Sequence, residues 1–390
     1  MIIQPANRLD QIQEYYFAGK LREIRQRNAA GEDIINLGIG NPDLPPSDEA
    51  IKSLITAAVE PGVHGYQPYK GLPGLREAFA NWYLNTYGVE LDPETEIQPL
   101  AGSKEGILHI SMAFLNPGDQ VLIPNPGYPT YLSNTRLAGG EPVFYSLRAE
   151  NDWLPDLEEL GKRDLSQVKL MWINYPHMPT GAKATEDIFD QLIEFGRKHQ
   201  ILICHDNPYS LVLNPEPISI LGRPGAREVA LELNSLSKSH NMAGWRIGMV
   251  AAEQEYIDTI LRVKSNMDSG MYMPLQQAAI TALNSSYEWH RERNQVFAER
   301  KKIAGKIMEI LNCNYSDDSA GMFLWGKIPA NYEHSEDFSE LILNQCRVFI
   351  TPGFIFGSEG DKYIRISLCM PASRLEDAMD RVKKLNLVKV

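Results

Sequence analysis

Lys238 lies in a segment whose residue types could carry out covalent catalysis on a carbonyl compound. The segment 234–248 reads NSLSKSHNMAGWRIG, so three serine hydroxyls surround the lysine and Arg246 follows it. A lysine amine attacks a carbonyl only while it is neutral, which requires a fixed and partly desolvated position. Hydroxyl groups and a guanidinium beside it would bind an anionic group such as a phosphate ester. The segment therefore predicts a nucleophilic lysine next to a phosphate-bearing cofactor.

Further polar residues follow other apolar segments of the chain. Ser103, in AGSKEG, opens a helix where backbone amides and the hydroxyl could hold a phosphate, although a serine there also serves as an ordinary cap. Tyr128, between two prolines in NPGYP, could stack on a flat ring or simply pack. Asp206 ends the apolar segment ILICHD, where a carboxylate is costly unless it is paired. A protonated ring nitrogen would pair with Asp206, and Tyr209 could reach a phenolic oxygen on the same ring; the alternative for Asp206 is a cap of the next turn.

One ligand satisfies all of these residues. It is a flat, anionic ring that carries a phosphate, a protonated nitrogen and an aldehyde for Lys238, and pyridoxal 5'-phosphate (PLP) has this chemistry. No metal site is expected, because the histidines show no H-x-x-x-H spacing and the four cysteines form no C-x-x-C pair.

The elements that must position these residues alternate between short apolar strands and helices. Strands are predicted at EIQPLAG, QVLIP, PVFYSL, VKLMWIN, ILICHD, EVALELNS and RIGMVAA. Apolar runs without polar alternation are typical of strands buried on both faces, so we expect an α/β fold with a mostly parallel sheet between helices. Ligands of such sheets bind beyond the carboxyl ends of the strands, where the residues described above lie.

A second, smaller unit is predicted from the two ends of the chain. From about Tyr287 a long charged helix is followed by the strands GMFLWGKI, RVFITPG and YIRISL, a pattern that indicates an α+β domain. The N-terminal segment, with an amphipathic helix from about Arg8 to Arg27, completes it. We therefore expect a large cofactor-binding domain over residues 48–286 and a small domain formed by residues 1–47 and 287–390.

The composition limits the partners of the protein. Of its 390 residues, 43% are hydrophobic and 23% are charged, which is ordinary for a soluble globular protein. The net charge of -12 disfavours a nucleic-acid partner and an anionic membrane surface. No apolar stretch approaches the roughly 20 residues that span a bilayer, and MIIQPANRLD is unlike a signal peptide. Because no disulfide framework is indicated, we expect a cytoplasmic protein.

These motifs together resemble the class I/II aminotransferases of the aspartate aminotransferase fold, over almost the whole chain. LSKSHNMAGWRIG is the most specific of them, and it is supported by NLGIGNPD, GYQPYKGLPGLREAF, AGSKEG, NPGYPTY, DNPY and YIRISL. The resemblance implies the fold of type I PLP-dependent transferases and a homodimer with shared active sites. GSKEG and HDNPYS are most similar to the branch that holds alanine, methionine and LL-diaminopimelate aminotransferases.

The resemblance also implies roles for the cofactor residues. Lys238 is similar to the lysine that forms the Schiff base with PLP, and Asp206 to the partner of the pyridine nitrogen. Tyr209 would donate to the phenolic oxygen, and Tyr128 would stack on the ring. The residues similar to those that hold the phosphate, two of them through backbone amides, are Ser103, Lys104, Ser235 and Arg246.

Three further residues take their predicted roles from the resemblance, and one position departs from it. Tyr66 is similar to a tyrosine that reaches the phosphate of the neighbouring subunit. Arg365 resembles the arginine that grips the substrate α-carboxylate, with the Gly40 backbone N–H beside it. Where most of the family reads NNPTG, this chain reads HMPTG, so Met178 replaces an asparagine that donates to the phenolic oxygen. Asn174, four residues earlier, is the candidate substitute.

The implied activity is that of an aminotransferase, which moves the amino group of an L-amino acid to a 2-oxo acid. Lys238 would transfer the Cα proton as general base and acid. The donor is expected to be alanine, methionine or LL-diaminopimelate, with glutamate and 2-oxoglutarate as the other pair.

Alternative functions remain open at this point. A PLP-dependent β-lyase on sulfur amino acids would share these residues. Ser235 and Lys238 also match the S-x-x-K motif of serine acyl-transfer enzymes, although no K-[ST]-G element accompanies them. A ligand-sensing regulator would need a DNA-binding domain, which this acidic chain has no room for.

Overall fold

The computed structural model describes residues 2–12, 14 and 16–385. The strands are β1 (Ile35–Asn36), β2 (Ile97–Leu100), β3 (Gln120–Asn125), β4 (Glu141–Ser146), β5 (Val168–Ile173), β6 (Leu202–Asp206), β7 (Ala230–Ser235), β8 (Gly248–Ala251), β9 (Asn314–Tyr315), β10 (Phe323–Lys327), β11 (Val348–Phe349), β12 (Thr351–Pro352) and β13 (Tyr363–Ser367). The α-helices are α1 (Tyr16–Ala29), α2 (Asp48–Ala58), α3 (Pro73–Tyr87), α4 (Ser103–Phe114), α5 (Pro129–Leu137), α6 (Leu157–Leu160), α7 (Glu186–His199), α8 (Ala226–Val229), α9 (Leu236–Ser239), α10 (Gln254–Lys264), α11 (Met273–Leu283), α12 (Tyr287–Ile310), α13 (Ser335–Cys346) and α14 (Ala372–Val382).

The seven strands predicted for the large sheet are all observed, and they pair in the order β2-β8-β7-β6-β5-β3-β4. β8 runs antiparallel to both of its neighbours, and the other pairs are parallel. Successive side chains of β5 pack into different cores, with Leu170 and Trp172 on one face and Met171 and Ile173 on the other. This explains the unbroken apolar runs, because both faces of the sheet are covered. The expected α/β fold with a mostly parallel sheet between helices is confirmed.

The flanking helices begin and end where local chemistry favours it. For α7, the Thr185 side chain accepts a hydrogen bond from the Ile188 amide, and acidic residues occupy the first turn. Basic residues, among them Arg197, occupy its last turn, and Gln200 ends it in the left-handed conformation. Acidic groups at the start and basic groups at the end complement the helix dipole. These signals are local and set the ends of α7, while its apolar face packs into the core beside the sheet.

The remaining strands form two smaller sheets. β12, β13, β10 and β9 pair in that order with antiparallel neighbours, while β1 pairs in parallel with β11. The segment RVFITPG, predicted as one strand, therefore forms two, because the chain leaves the sheet of β1 and joins that of β13 at Ile350. The N-terminal helix, predicted from about Arg8 to Arg27, is observed over Tyr16–Ala29; Gln13 and Tyr15 lie outside the described residues.

The division into a large domain of residues 48–286 and a small one of residues 1–47 and 287–390 remains a proposal. Met1, Gln13, Tyr15 and residues 386–390 of the small-domain segments lie outside the described residues. Within residues 2–12, 14 and 16–385, no helix is both long enough and apolar enough to cross a membrane.

Candidate active site

A cavity of about 650 Å³ lies at the carboxyl ends of β6 and β7. β6 ends at Asp206 and β7 at Ser235, and their parallel pairing, with Asp206 opposite Leu233, places both ends at one edge of the sheet. All but one of the residues selected from the sequence line the cavity: Gly40, Ser103, Lys104, Tyr128, Asp206, Tyr209, Ser235, Lys238, Arg246 and Arg365. The structure thus gathers residues that are more than 300 positions apart along the chain into one cleft.

Lys238 lies in the short helix α9 that follows β7, and its environment favours a neutral amine. Its Nζ donates a 2.5 Å hydrogen bond to the carbonyl oxygen of Gly40. Burial lowers the pKa of the Lys238 ammonium group; the thiol of Cys369 raises it, and the guanidiniums of Arg365 and Arg246 lower it further. In the described part of the chain no carboxylate lies within ion-pair distance of this amine. The amine is therefore suited to act as a nucleophile and as a base.

Asp206 is almost fully buried and has one carboxylate oxygen to offer a ligand. Its Oδ2 accepts a 2.8 Å hydrogen bond from the hydroxyl of Tyr131, while its Oδ1 has no hydrogen-bond partner among the described residues. Burial raises the pKa of Asp206 to about 6, and the Tyr131 hydrogen bond opposes that rise. A buried oxygen without a partner is costly, so a cationic N–H donor in the cavity would stabilise it.

Tyr131 was not selected from the sequence, although it lies at the site. It is fully buried on α5, three residues after Tyr128, and its ring stacks on Trp172 at 5.0 Å with an interplanar angle of 6°. Its ring also meets that of Tyr128 edge to face at 5.6 Å. The sequence signal was its place three residues after Tyr128 in NPGYPTY, in the first turn of the helix that follows Tyr128.

The N-terminus of α4 and Arg246 form a cradle for an anion. The first turn of a helix leaves backbone N–H groups without intrahelical acceptors, and Ser103 and Lys104 occupy that turn. Gly102 precedes them with a φ of +88°, and a Cβ there would lie 2.1 Å from Nη2 of Arg246. Arg246, which is exposed, also bonds to the Ser237 hydroxyl at 3.3 Å. Ser237, one of the three serines that surround Lys238 in the sequence, also lines the cavity and thereby belongs to the cradle.

The contacts of Ser235 bear on the serine acyl-transfer alternative. Its hydroxyl lies 2.9 Å from the Ser237 hydroxyl and 3.1 Å from the Ile247 carbonyl oxygen. Lys238 bonds instead to Gly40. The Ser–Lys hydrogen bond that an S-x-x-K enzyme requires is thus absent from the described contacts of both residues, and nothing favours that reading.

Arg365, on β13, is a buried guanidinium held among aromatic rings. Its Cζ lies 3.8 Å from the ring centroid of Phe323 and 4.7 Å from that of Phe356. Its Nη2 donates to the carbonyl oxygen of Gly38 at 2.7 Å. Gly40 cannot carry a side chain, because a Cβ there would lie 2.2 Å from Phe323. The planar, fixed guanidinium suits bidentate binding of a carboxylate.

Met178 lies directly beside this arginine. Its Sδ is 3.1 Å from Nη1 of Arg365, and its side chain is buried. The candidate substitute, Asn174, uses its amide elsewhere: its Oδ1 accepts from the Met178 amide at 2.8 Å, and its Nδ2 donates to the Asp206 carbonyl oxygen at 2.6 Å. Asn174 therefore fixes the backbone on both sides of the cavity.

Arg293 is a second residue that was not selected from the sequence. It lies on α12, is buried, and donates to the carbonyl oxygens of Ser239 and Leu211. These carbonyls belong to the residue after Lys238 and to the loop after Tyr209. Burial lowers the pKa of Arg293 to about 9. Within its charged stretch, WHRERNQ, the sequence carries no signal that separates this arginine from solvated neighbours.

Tyr66 is the selected residue that the single chain leaves outside the cavity. It lies in the loop between α2 and α3, and 92% of its surface is exposed. Its predicted contact would have to come from a second subunit. Among the described residues, no group of histidine, cysteine, aspartate and glutamate side chains could hold a metal ion.

Comparisons with known proteins show the family of the chain. The family model of aminotransferases class I and II matches residues 32–382. The chain is 40% identical to an LL-diaminopimelate aminotransferase of Dehalococcoides mccartyi over 379 residues, which is 97% of each chain. It is also 40% identical to the LL-diaminopimelate aminotransferase of Moorella thermoacetica over 385 residues, 98% of each.

Solved structures show the same fold. Apo BacF from Bacillus subtilis superposes with a TM-score of 0.95 at 35% identity, over 99% of both chains. A probable N-succinyldiaminopimelate aminotransferase from Thermus thermophilus superposes with a TM-score of 0.88 at 34% identity, over 94% of this chain and 99% of the other.

Proposed function

The chain belongs to the class I and II aminotransferases, and on that premise we propose that the cavity around Lys238 is its active site. The protein is a PLP-dependent aminotransferase that acts on amino acids and 2-oxo acids. The observation that carries the site assignment is the buried Oδ1 of Asp206, which has no partner among the described residues and shares its cavity with a lysine of lowered pKa.

The residues present suit the cofactor. Asp206 would hold a proton on the ring nitrogen, Tyr209 would donate to the phenolic oxygen, and Tyr128 would stack on the ring. The anion cradle would hold the phosphate through Ser103, Lys104, Ser235 and Arg246, and Arg365 with Gly40 would orient the substrate carboxylate. PLP, when bound, supplies the aldehyde carbon to which amines add and a ring that accepts electrons from the substrate Cα. Lys238 Nζ would take the proton from Cα and deliver it as general acid.

The oligomeric state and the cellular location of the protein are proposed as well. A homodimer with shared sites is supported by the exposure of Tyr66, and Tyr69 and Tyr272 are further exposed aromatic residues. A cytoplasmic location is supported by the four cysteines, all of which are buried thiols. For the amino donor, alanine, methionine and LL-diaminopimelate are the candidates, the last being the substrate in the names of the relatives.

Replacing the lysine tests the assignment. Lys238→Ala should lower transamination by more than about a thousandfold, because both the covalent link and the proton carrier are lost. Borohydride reduction of the holoenzyme should fix the cofactor to the peptide that contains Lys238, and the variant should bind it without a covalent link. Lys162→Ala, an exposed lysine, is the matched control. Near-normal turnover of the Lys238 variant, or a label on another peptide, would overturn the assignment.

A further inference from the structure

Behind the cavity, the large sheet buries a carboxylate that the proposed reaction does not use. Glu232 lies on β7, opposite His205 of β6, and its side chain is fully buried. Five groups of the same chain contact its two oxygens at 2.7–3.3 Å: the hydroxyls of Tyr83 and Ser219, the backbone amide of Ile220, the side-chain amide of Asn207 and a ring nitrogen of His205. A buried carboxylate needs such partners, because water does not reach it.

These contacts fix the charge of Glu232. The two amides can only donate hydrogen bonds. Each hydroxyl already accepts one, Tyr83 from Asn234 at 3.4 Å and Ser219 from the Leu221 amide at 3.2 Å, and so donates to the carboxylate. Four donors besides His205 stabilise the negative charge. The proton between Glu232 and His205 therefore resides on the imidazole.

His205 has an acceptor at each ring nitrogen. Its Nδ1 lies 2.9 Å from Oε2 of Glu232, and its Nε2 lies 3.0 Å from the carbonyl oxygen of Tyr175. Neither a carbonyl oxygen nor an ionised carboxylate can donate, so both ring nitrogens carry a hydrogen and the ring is a cation. The ring is fully buried and meets the Phe189 ring edge to face at 5.0 Å. The sheet therefore holds a positive charge away from solvent.

This charge lies directly behind Asp206. His205 is the preceding residue on β6, so the two side chains point to opposite faces of the sheet. Burial raises the pKa of Asp206 to about 6, the Tyr131 hydrogen bond lowers it, and the His205 charge lowers it as well. Tyr128, Tyr131 and Tyr209 also interact with Asp206, and burial raises the pKa of each, so they are uncharged at neutral pH. Without the His205 charge, Asp206 would be protonated further towards neutral pH.

We propose that His205 is a positioning residue whose buried positive charge, maintained by Glu232, keeps Asp206 ionised and able to hold a proton on the ring nitrogen of the cofactor. Both residues lie outside the described lining of the cavity, so they act through Asp206. The inference rests on the proposed function for the identity of the ligand of Asp206. The charge of His205 and its effect on Asp206 are properties of the protein alone, and they are measured without turnover.

Nuclear magnetic resonance tests the charge on the unaltered protein. The histidines of the holoenzyme are labelled with nitrogen-15, and His205 is identified by the contacts of its ring protons with the Phe189 ring. At about pH 7.5, above the ordinary titration range of histidine, both ring nitrogens of His205 should carry a hydrogen. Burial lowers the pKa of His240, another buried histidine, well below the ordinary value, so this ring should show one unprotonated nitrogen. An unprotonated nitrogen on His205 would contradict the proposal.

Glu232→Gln tests the effect on Asp206 through its sign. Without the carboxylate, His205 should lose its second hydrogen, and the titration midpoint of Asp206 should rise by at least about half a pH unit. If His205 were neutral in the parent protein, removal of an anion would instead lower the midpoint or leave it unmoved. The midpoint is measured on the cofactor-free full chain from the carbon-13 resonances of labelled aspartate carboxyl groups, and Asp206→Asn identifies the signal.

Tyr83→Phe is the matched control, because it removes an uncharged donor from the same carboxylate and keeps both charges. It should leave the midpoint in place. The basic residues of the cavity, Lys238, Arg246 and Arg365, are unchanged in all of these variants. An equal rise in Tyr83→Phe would assign the effect to packing and overturn the inference.

A midpoint in Glu232→Gln at or below that of the parent protein would also overturn it. If Glu232→Gln does not fold, the histidine measurement on the parent protein decides. Borohydride labelling of Lys238 tests the proposed function separately, so failure of one is distinguished from failure of the other.

Discussion

The Tyr131 hydroxyl donates a 2.8 Å hydrogen bond to Oδ2 of Asp206, and the other carboxylate oxygen has no partner among the described residues. The tyrosine thereby fixes the orientation of the carboxylate from behind and directs the second oxygen towards a ligand. Its own position is fixed by the stacked contact with Trp172. Asp206 is therefore oriented by a packed aromatic pair.

The burial of Asp206 should make the stability of the cofactor-free protein depend on pH. Its folded-state pKa of about 6 is raised above the ordinary 3.8, so the folded protein binds this proton more tightly than the unfolded chain does. The free energy of unfolding should therefore fall as the pH rises from about 4 to about 6, by roughly 3 kcal/mol from this group. Paired carboxyl groups with lowered pKa values contribute the opposite slope, so urea unfolding should show the fall as the stability of the parent protein minus that of Asp206→Asn.

The same titration examines the role of Tyr131. Its hydrogen bond lowers the pKa of Asp206, so Tyr131→Phe should raise that pKa and move the fall in stability to higher pH. Asp10→Asn, at an exposed site, serves as the control. Identical pH profiles for the parent protein and Asp206→Asn would contradict the assignment of the titration to this carboxyl group.

Arg365→Lys should weaken substrate binding and leave the cofactor in place. Lysine keeps the positive charge but loses the planar fork that binds both carboxylate oxygens and stacks on Phe323. We expect KM for both the amino acid and the 2-oxo acid to rise at least about tenfold, a loss of about 1.4 kcal/mol. The absorbance of bound cofactor should be unchanged. Arg148→Lys, an exposed arginine, is the control, and an unchanged KM for both substrates would remove Arg365 from the site.

Tyr66 is expected to act across a dimer interface, because it lies outside its own chain's cavity. Mixed Tyr66→Phe and Lys238→Ala subunits should form hybrids with one doubly defective site and one intact site. Their activity should exceed that of the two homodimers present, measured after subunit exchange has been verified by native mass spectrometry. Activity equal to the sum of the unmixed proteins would assign Tyr66 to its own subunit or to no site.

With Met178 in place, the bound cofactor should change its absorbance at a higher pH than with an asparagine at this position. A thioether cannot donate a hydrogen bond to the phenolic oxygen, so that oxygen stays more basic than with an amide beside it. Met178→Asn should lower the transition pH, and Tyr209→Phe should raise it. A spectral pH titration measures both shifts. If Met178→Asn leaves the transition unmoved while Asn174→Ala shifts it upward, Asn174 supplies the donor despite its two backbone hydrogen bonds.

Much of the large sheet could be predicted from the sequence, because its signals are local. Each strand is a short run rich in apolar residues, and β5 is followed by a helix with a recognisable cap, Thr185 before α7. The residue types around Lys238 also predicted that this lysine is a nucleophile and that a phosphate group binds beside it. These features depend on contacts within a few residues along the chain, so periodicity and composition reveal them.

The order of the strands and the partners within the site were decided by the tertiary structure. Tyr131 reaches Asp206 across 75 positions of sequence, and Arg365 reaches Met178 across 187. No local pattern encodes such pairs, because they depend on which strand ends become neighbours and on how the side chains pack between them. Arg293 shows the same limit: its charge indicates a solvated side chain, whereas packing buries it against two backbone carbonyl oxygens.

The apolar surface beside Arg365 has the same origin. Phe17 on α1 and Phe323 on β10 lie more than 300 positions apart, and each is an ordinary apolar residue in its own segment. Only the closure of the cavity by both elements makes them one surface beside Arg365. Residue types held in short motifs were thus enough to indicate the cofactor chemistry. The tertiary structure decided what surrounds the substrate, because long-range packing sets the burial and charge of that surface.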